Sequence, residues 1–124
     1  MLTAEQYRAQ LAAAMTEAEL QERVIRAARI TGWRYYHPPD NRPGGKSGRV
    51  QRVVPGFPDL VLVHVAQRRI MYRELKTQTG RVSPDQRTWL DDLAIAGADV
   101  GVWRPADLLE ERILVELTRR VHRP

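Results

Sequence analysis

Between Pro58 and Lys76 the sequence reads PDLVLVHVAQRRIMYRELK, and this stretch constrains the fold more than any other. The apolar run that starts at Leu60 is continuous, as expected of a central strand covered on both faces. AQRR then turns the chain back into IMYRELK, a second strand. Two strands joined by so short a turn run antiparallel, so a turn centred near Gln67 sets Asp59 beside Glu74 and Leu75. Alternation along the second strand puts Glu74 and Lys76 on one face and Leu75 on the other. One short region is thereby expected to collect two carboxylates and one ammonium.

The elements around this hairpin follow from local chemistry. Residues 3–30 predict helix in two pieces, rich in Ala, Leu, Gln, Glu and Arg and free of Pro and Gly. Thr16 and Glu19 have the spacing of a capping box, and Leu20, Val24, Ala27 and Ala28 form one apolar stripe that stops before Gly32. WRYYH, residues 33–37, predicts a short strand. Residues 38–56 are too rich in Pro and Gly for regular structure and carry Arg42, Lys46, Arg49 and Arg52, so a mobile basic loop suited to a polyanion is expected there. Ser83 and Pro84 open a helix with Trp89, Leu90, Leu93 and Ala94 on one face, and Gly97 closes it. DVGVW predicts a further strand, and residues 106–117 a last helix. The order α, β, β, β, α, β, α gives an α/β domain over residues 1–124, its core at about 16–117, with helices against a mixed sheet.

Cysteine is absent, which excludes a disulfide framework and a thiolate zinc site. With neither a signal-peptide core nor a long apolar span, a cytoplasmic protein without membrane contact is expected. The net charge of +5 and pI near 10.2 favour a polyanionic partner, nucleic acid first. There is no phosphate-binding glycine motif for a nucleotide and no nucleophile and base at hydrolase spacing.

Two carboxylates held side by side repel unless one is protonated or a cation lies between them. A hard divalent ion answers that need, and Asp59, Glu74 and the Leu75 carbonyl are oxygen donors of the right kind for Mg²⁺ or Mn²⁺. Lys76 is informative because eighteen of the 20 basic residues are arginine. An ammonium is a compact charge with a tunable pKa, whereas guanidinium is a broad fork that stays protonated.

Taken in order, TEAELQERV, GWRYYH, GFPDLVLV, RELKTQTGRVSPDQRTWL and GADVGVWRP resemble the VRR-NUC branch of the PD-(D/E)XK nucleases. The resemblance implies a restriction-endonuclease-like fold with an α-βββ-α-β core, and a metal-dependent phosphodiesterase acting on DNA. It implies Asp59 and Glu74 as metal ligands, Lys76 as the catalytic lysine, and Gln86 as a residue on the first turn of a helix that orients water or substrate. Stand-alone domains of this kind, mostly phage and bacterial, look like structure-selective endonucleases, and some act as dimers on four-way junctions. Glu17 and Gln21 are the counterparts of the N-terminal catalytic positions, with Glu19 and Glu22 close by. Helical geometry separates them: the apolar stripe is centred nearly in line with Glu17, has Gln21 on its flank and turns Glu19 and Glu22 away.

Singly, each of these features has a plainer explanation. Pro58-Asp59 begins many strands, and Glu74 with Lys76 would serve as a surface ion pair. A non-cleaving DNA-binding module of the same fold is the alternative function. His64, inside an apolar strand, is expected to make a core hydrogen bond. His37 ends a strand near the site, where contact with phosphate or metal is one reading and an ordinary polar strand end the more frequent one. Trp33, Trp89 and Trp103 are expected to pack rather than stack on bases.

Overall fold

The computed structural model describes residues 1–39 and 54–119. Within them the chain runs through helices α1 (Ala4–Ala14) and α2 (Glu17–Ile30) and strands β1 (Arg34–Tyr36), β2 (Leu60–His64) and β3 (Arg69–Leu75). Helix α3 (Pro84–Ile95), strand β4 (Asp99–Trp103) and helices α4 (Pro105–Leu109) and α5 (Arg112–Thr118) follow.

The helix starts are chemical. Thr3 with Gln6, Thr16 with Glu19 and Ser83 with Gln86 each form a reciprocal capping box, which satisfies donors that an α-helix leaves unpaired at its first turn. Pro84 occupies the first turn of α3, where its missing N–H costs nothing. Helix α2 ends through Thr31 and Gly32, and Gly32 has φ +93, a conformation that favours glycine.

The four strands lie in the order β1-β2-β3-β4, antiparallel except for the parallel pair β3-β4. This is the mixed α/β sheet with flanking helices expected of a restriction-endonuclease-like fold. Leu60 pairs with Arg73 and His64 with Arg69, so the hairpin turns between Ala66 and Gln67. One sheet face carries Leu60, Leu62, Met71, Leu75 and Trp103, all buried against Leu20, Val24 and Ala28 of α2 and Ile113 and Leu117 of α5. Burying such side chains contributes about 1.5–3 kcal/mol each, and the core lies between this face and those helices.

The opposite face corrects the expectation for β2. Leu60 and Leu62 are buried but Val61 and Val63 only half so, because α3 covers the β4 side of that face and stops short of β1 and β2. Ala94 is exposed, and Trp89 is half-buried against Phe57 with ring centroids 5.1 Å apart, whereas Trp33 and Trp103 are in the core as expected. Strand β1 is shorter than WRYYH. The last helix is also two helices: Glu111 adopts φ 63 between α4 and α5, and the break lets Ile113 and Leu117 turn into the core.

Arg69 and Arg73 alternate into the core face of β3, where periodicity alone would place apolar side chains. Arg73 donates to Asp99 at 2.7 Å and to Glu116 at 2.9 Å, and its guanidinium lies 5.0 Å from the centre of the Trp103 ring. Arg69 lies over Trp33 at 5.0 Å and donates to the Arg119 carbonyl at 3.0 Å. Two buried cations are thus matched by two partly buried carboxylates, tying β3 and β4 to α5; breaking such a matched set strands a charge. His64 makes the core hydrogen bonds expected of it, Nε2 donating to the Thr31 carbonyl at 3.0 Å and Nδ1 accepting from the Gln67 N–H at 3.0 Å.

Candidate active site

Continuing the β2-β3 register by one residue sets Asp59 opposite Glu74, as the turn position predicted. Asp59 Oδ2 accepts the Leu75 N–H at 2.8 Å, which fixes the carboxylate across the open end of the hairpin. Glu74 is 2% exposed, and its Oε2 is buried without a hydrogen-bond partner. Burial raises its pKa to about 9, with Asp59 adding to the rise through a hydrogen bond and through its charge; Lys76 opposes it and Glu17 reinforces it. Without a cation Glu74 is therefore a protonated acid at neutral pH.

Lys76 follows β3 directly, half-buried, its N–H donating to the Trp103 carbonyl at 3.1 Å. The loop after it folds back: a Cβ at Gly80 would stand 3.6 Å from Lys76 Cδ. Arg104 pins that loop, donating through Nη1 to the carbonyls of Thr77 at 2.7 Å and Gly80 at 2.8 Å. Gln78 Oε1 in turn accepts the Ala106 N–H at 2.9 Å. Sequence reasoning missed Arg104 as a support of the lysine loop. Its only signal was membership of GADVGVWRP, since a guanidinium binding carbonyls 24 to 27 residues away has no local pattern.

Asp59 is reached through Gly56, Phe57 and the buried Pro58. Gly56 has φ +82, and a Cβ there would lie 2.4 Å from the Asp85 carbonyl carbon and 2.6 Å from the Gln86 nitrogen. The glycine thus lets the chain ahead of Asp59 press on the first turn of α3, which brings Gln86 to the same end of the sheet. Gln86 Oε1 accepts the Ser83 N–H at 2.9 Å in the capping box, so the group it has to offer a substrate is its NH₂. Gly56→Ala is expected to cost about 2–4 kcal/mol, from the left-handed backbone and the backbone clash together, and to lower cleavage with it. Chemical denaturation measures the first effect and turnover the second.

Among the N-terminal candidates the structure separates three. Glu19 Oε1 accepts the Thr16 hydroxyl at 2.9 Å, and Glu22 lies 3.6 Å from Arg26 on the solvent side, 73% exposed. Glu17 is the one whose charge reaches Glu74. It does so from an exposed position at the rim rather than from the inward face expected, while Gln21 is half-buried. In single-turnover cleavage Glu17→Gln is expected to lose on the order of 10- to 100-fold, with a smaller loss for Gln21→Ala. Glu19→Gln should cost about 1 kcal/mol or less of stability and no rate. Equal effects at Glu17, Gln21, Glu19 and Glu22 would contradict the assignment.

His37 Nδ1 donates to the Asp59 carbonyl at 2.7 Å, so β1 ends beside the carboxylate pair. Arg42, Lys46, Arg49 and Arg52 lie outside the described residues, as does most of the basic loop. No group of three His, Cys, Asp or Glu forms a ready metal cage among the described residues. Asp59, Glu74 and the Leu75 carbonyl are what a cation would find here. The buried, unpartnered Oε2 and the raised pKa mark a carboxylate that a hard divalent ion would suit, since such an ion stabilises the ionised form that burial disfavours.

A mixed sheet with helices on both sides, carrying an Asp-Glu pair at a hairpin's open end and a lysine two residues on, defines the restriction-endonuclease-like class. The VRR-NUC domain family model matches residues 4–107. The chain belongs to the VRR-NUC family, a family of nucleases. Comparison with curated proteins and with solved structures returned no match.

Proposed function

We propose that the protein is a Mg²⁺- or Mn²⁺-dependent DNA endonuclease selective for branched or junction DNA, with Asp59, Glu74 and the Leu75 carbonyl as metal ligands. The observation that carries the reading is the buried Glu74 carboxyl, unpartnered at Oε2 and set against Asp59. A buried carboxyl set against a second, half-buried carboxylate is costly to a fold that does not use it. A bound divalent ion would supply a more acidic water and charge neutralisation at phosphate.

The chain's own groups divide the remaining work. Asp59, fixed by the Leu75 N–H, keeps one carboxylate oxygen for ligation. Lys76, followed by the loop that Arg104 pins, holds a positive charge beside Glu74, where it orients the attacking water and stabilises charge on the phosphate. The Gln86 NH₂ donates to water or to a phosphate oxygen from the first turn of α3. Glu17 approaches from α2 as an outer acceptor.

The test is a cleavage screen of the purified protein over four-way, flapped, nicked and linear DNAs with Mg²⁺, Mn²⁺ and EDTA. Cutting of branched substrates only with metal supports the reading. Binding without cutting under either metal would instead identify the non-cleaving DNA-binding module of the same fold.

DNA affinity is expected to fall steeply with salt, because Arg42, Lys46, Arg49 and Arg52 neutralise phosphates and release counterions. Replacing all four by Ala should flatten the slope of log K against log salt by up to about 3–4. An unchanged slope would move the phosphate contacts elsewhere, for instance to Arg119, Arg120 and Arg123.

A further inference from the structure

The face of the sheet that carries Asp59 and Glu74 does not end at them. Pairing places Tyr36 opposite Val61 and Val61 opposite Tyr72, and next to that row Arg34 opposite Val63 and Val63 opposite Ile70. Directly opposed residues in antiparallel strands share a face, so all of these side chains lie on the face of the carboxylate pair. Phe57 meets Tyr72 edge to face at 6.2 Å and continues to Trp89 of α3, which closes one side. The β1 side stays open among the described residues: Tyr36 is 58% and Ile70 54% exposed, and Arg34 is exposed as well.

Single exposed apolar side chains need no explanation, but a contiguous row beside a catalytic pair does. Three observations say what covers it. The open row contains a ring, an aliphatic floor and a guanidinium, with no carboxylate other than the site's own pair. It also leads into the site, because β1 ends at the His37 hydrogen bond to Asp59. The register places Pro38 opposite Asp59, so Tyr36 stands two residues, about 6.6 Å, along the strand from it. That is about two steps at the ~3.4 Å rise of a stacked DNA strand.

We propose that this open face is a stacking platform for unpaired nucleobases, holding the single-stranded part of the DNA whose phosphate lies at Asp59 and Glu74. The platform rests on the nuclease reading and narrows its substrate to DNA that is unpaired next to the cut. Tyr36 supplies the ring on which a base stacks, Ile70 and Val63 the apolar floor, and Arg34 the charge for the neighbouring phosphate. Stacking on an aromatic ring tolerates any base, so the surface selects strand state rather than sequence. A fully paired duplex presents its bases edge-on and gains nothing from it.

The test is fluorescence anisotropy of the full chain in EDTA, where no cutting is expected. The probes are a blunt duplex and the same duplex with a short oligothymidine arm. The wild type should bind the armed probe on the order of 10-fold more tightly. Tyr36→Val, which keeps strand propensity and removes the ring, should erase most of that preference and leave the blunt duplex unaffected. Tyr36→Phe should retain it. Equal weakening on both probes, or none, overturns the platform. So does sedimentation velocity showing a dimer that Ile70→Asp converts to monomer, because a second copy then occupies the face. Cleavage with Mg²⁺ is read separately: if the wild type cuts nothing but keeps the Tyr36-dependent preference, the nuclease reading fails and the platform stands. If it cuts and Tyr36→Val changes no preference, the platform alone fails.

Discussion

Asp59→Asn or Glu74→Gln is expected to lower cleavage by on the order of 10³-fold or more, a barrier increase of about 4 kcal/mol, with DNA binding retained or tightened. The two carboxyls face each other across the hairpin's open end, and one Glu74 oxygen has no partner in the fold. Asp59→Asn removes negative charge where a phosphate must approach, and Glu74→Gln replaces a carboxyl that is uncharged without a cation, so binding should not suffer. Glu74→Gln has a second consequence, in stability. In the metal-free protein the Glu74 pKa is raised from 4.5 to about 9, burial first and Asp59 second. The unfolded chain releases this proton from about pH 4.5 upward while the folded chain keeps it until about 9. In that window the folded state binds more protons, so this group's contribution to stability is full at low pH and is lost as pH rises. Thermal denaturation in EDTA should show the wild type losing stability between pH 5 and 9 relative to Glu74→Gln, the variant melting several degrees higher at pH 8, roughly 4 °C or more. Added Mg²⁺ should reverse the wild type's loss and do little for the variant. A double variant that still cuts, or a wild type indifferent to Mg²⁺, would contradict the metal site.

Lys76→Arg keeps the charge yet is expected to lower turnover by roughly 100-fold or more, about 3 kcal/mol of barrier, without unfolding the protein. The reason is space. Arg104 pins the loop that follows the lysine, a Cβ at Gly80 in that loop would stand 3.6 Å from Lys76 Cδ, and the lysine's charge acts on a buried carboxyl. A planar fork needs more room and spreads its charge over three nitrogens, so it would displace the loop or point away from Glu74. The comparison is single-turnover cleavage of the wild type and Lys76→Arg at saturating Mg²⁺, with the denaturation midpoint measured on both. Near-normal turnover would reduce Lys76 to a surface charge.

Much of the site was legible because it depends on local rules. Strand alternation, a short turn and the position of its centre are enough to bring Asp59 to Glu74 and Leu75, since antiparallel pairing is arithmetic once the turn is placed. Capping chemistry likewise located the starts of α2 and α3, because the donors it satisfies lie within one helical turn. Glu17 was singled out by helical phase, although phase could not tell the rim from the interior.

What only the tertiary structure decided has a common cause: it depends on contacts between residues distant in sequence. Arg69 and Arg73 are buried because Asp99, Glu116 and two tryptophan rings receive them, and a charged letter in a strand otherwise reads as exposed. Gly56 matters because α3 begins against it, and Arg104 because its guanidinium closes the loop after Lys76. The last helix breaks at Glu111 although its sequence is helical throughout, since only the broken form brings Ile113 and Leu117 to the sheet. Hydropathy also could not say that one face of β2 would stay half open. That was decided by where α3 stops, and it leaves Tyr36, Val63 and Ile70 open on the sheet face that carries the carboxylate pair.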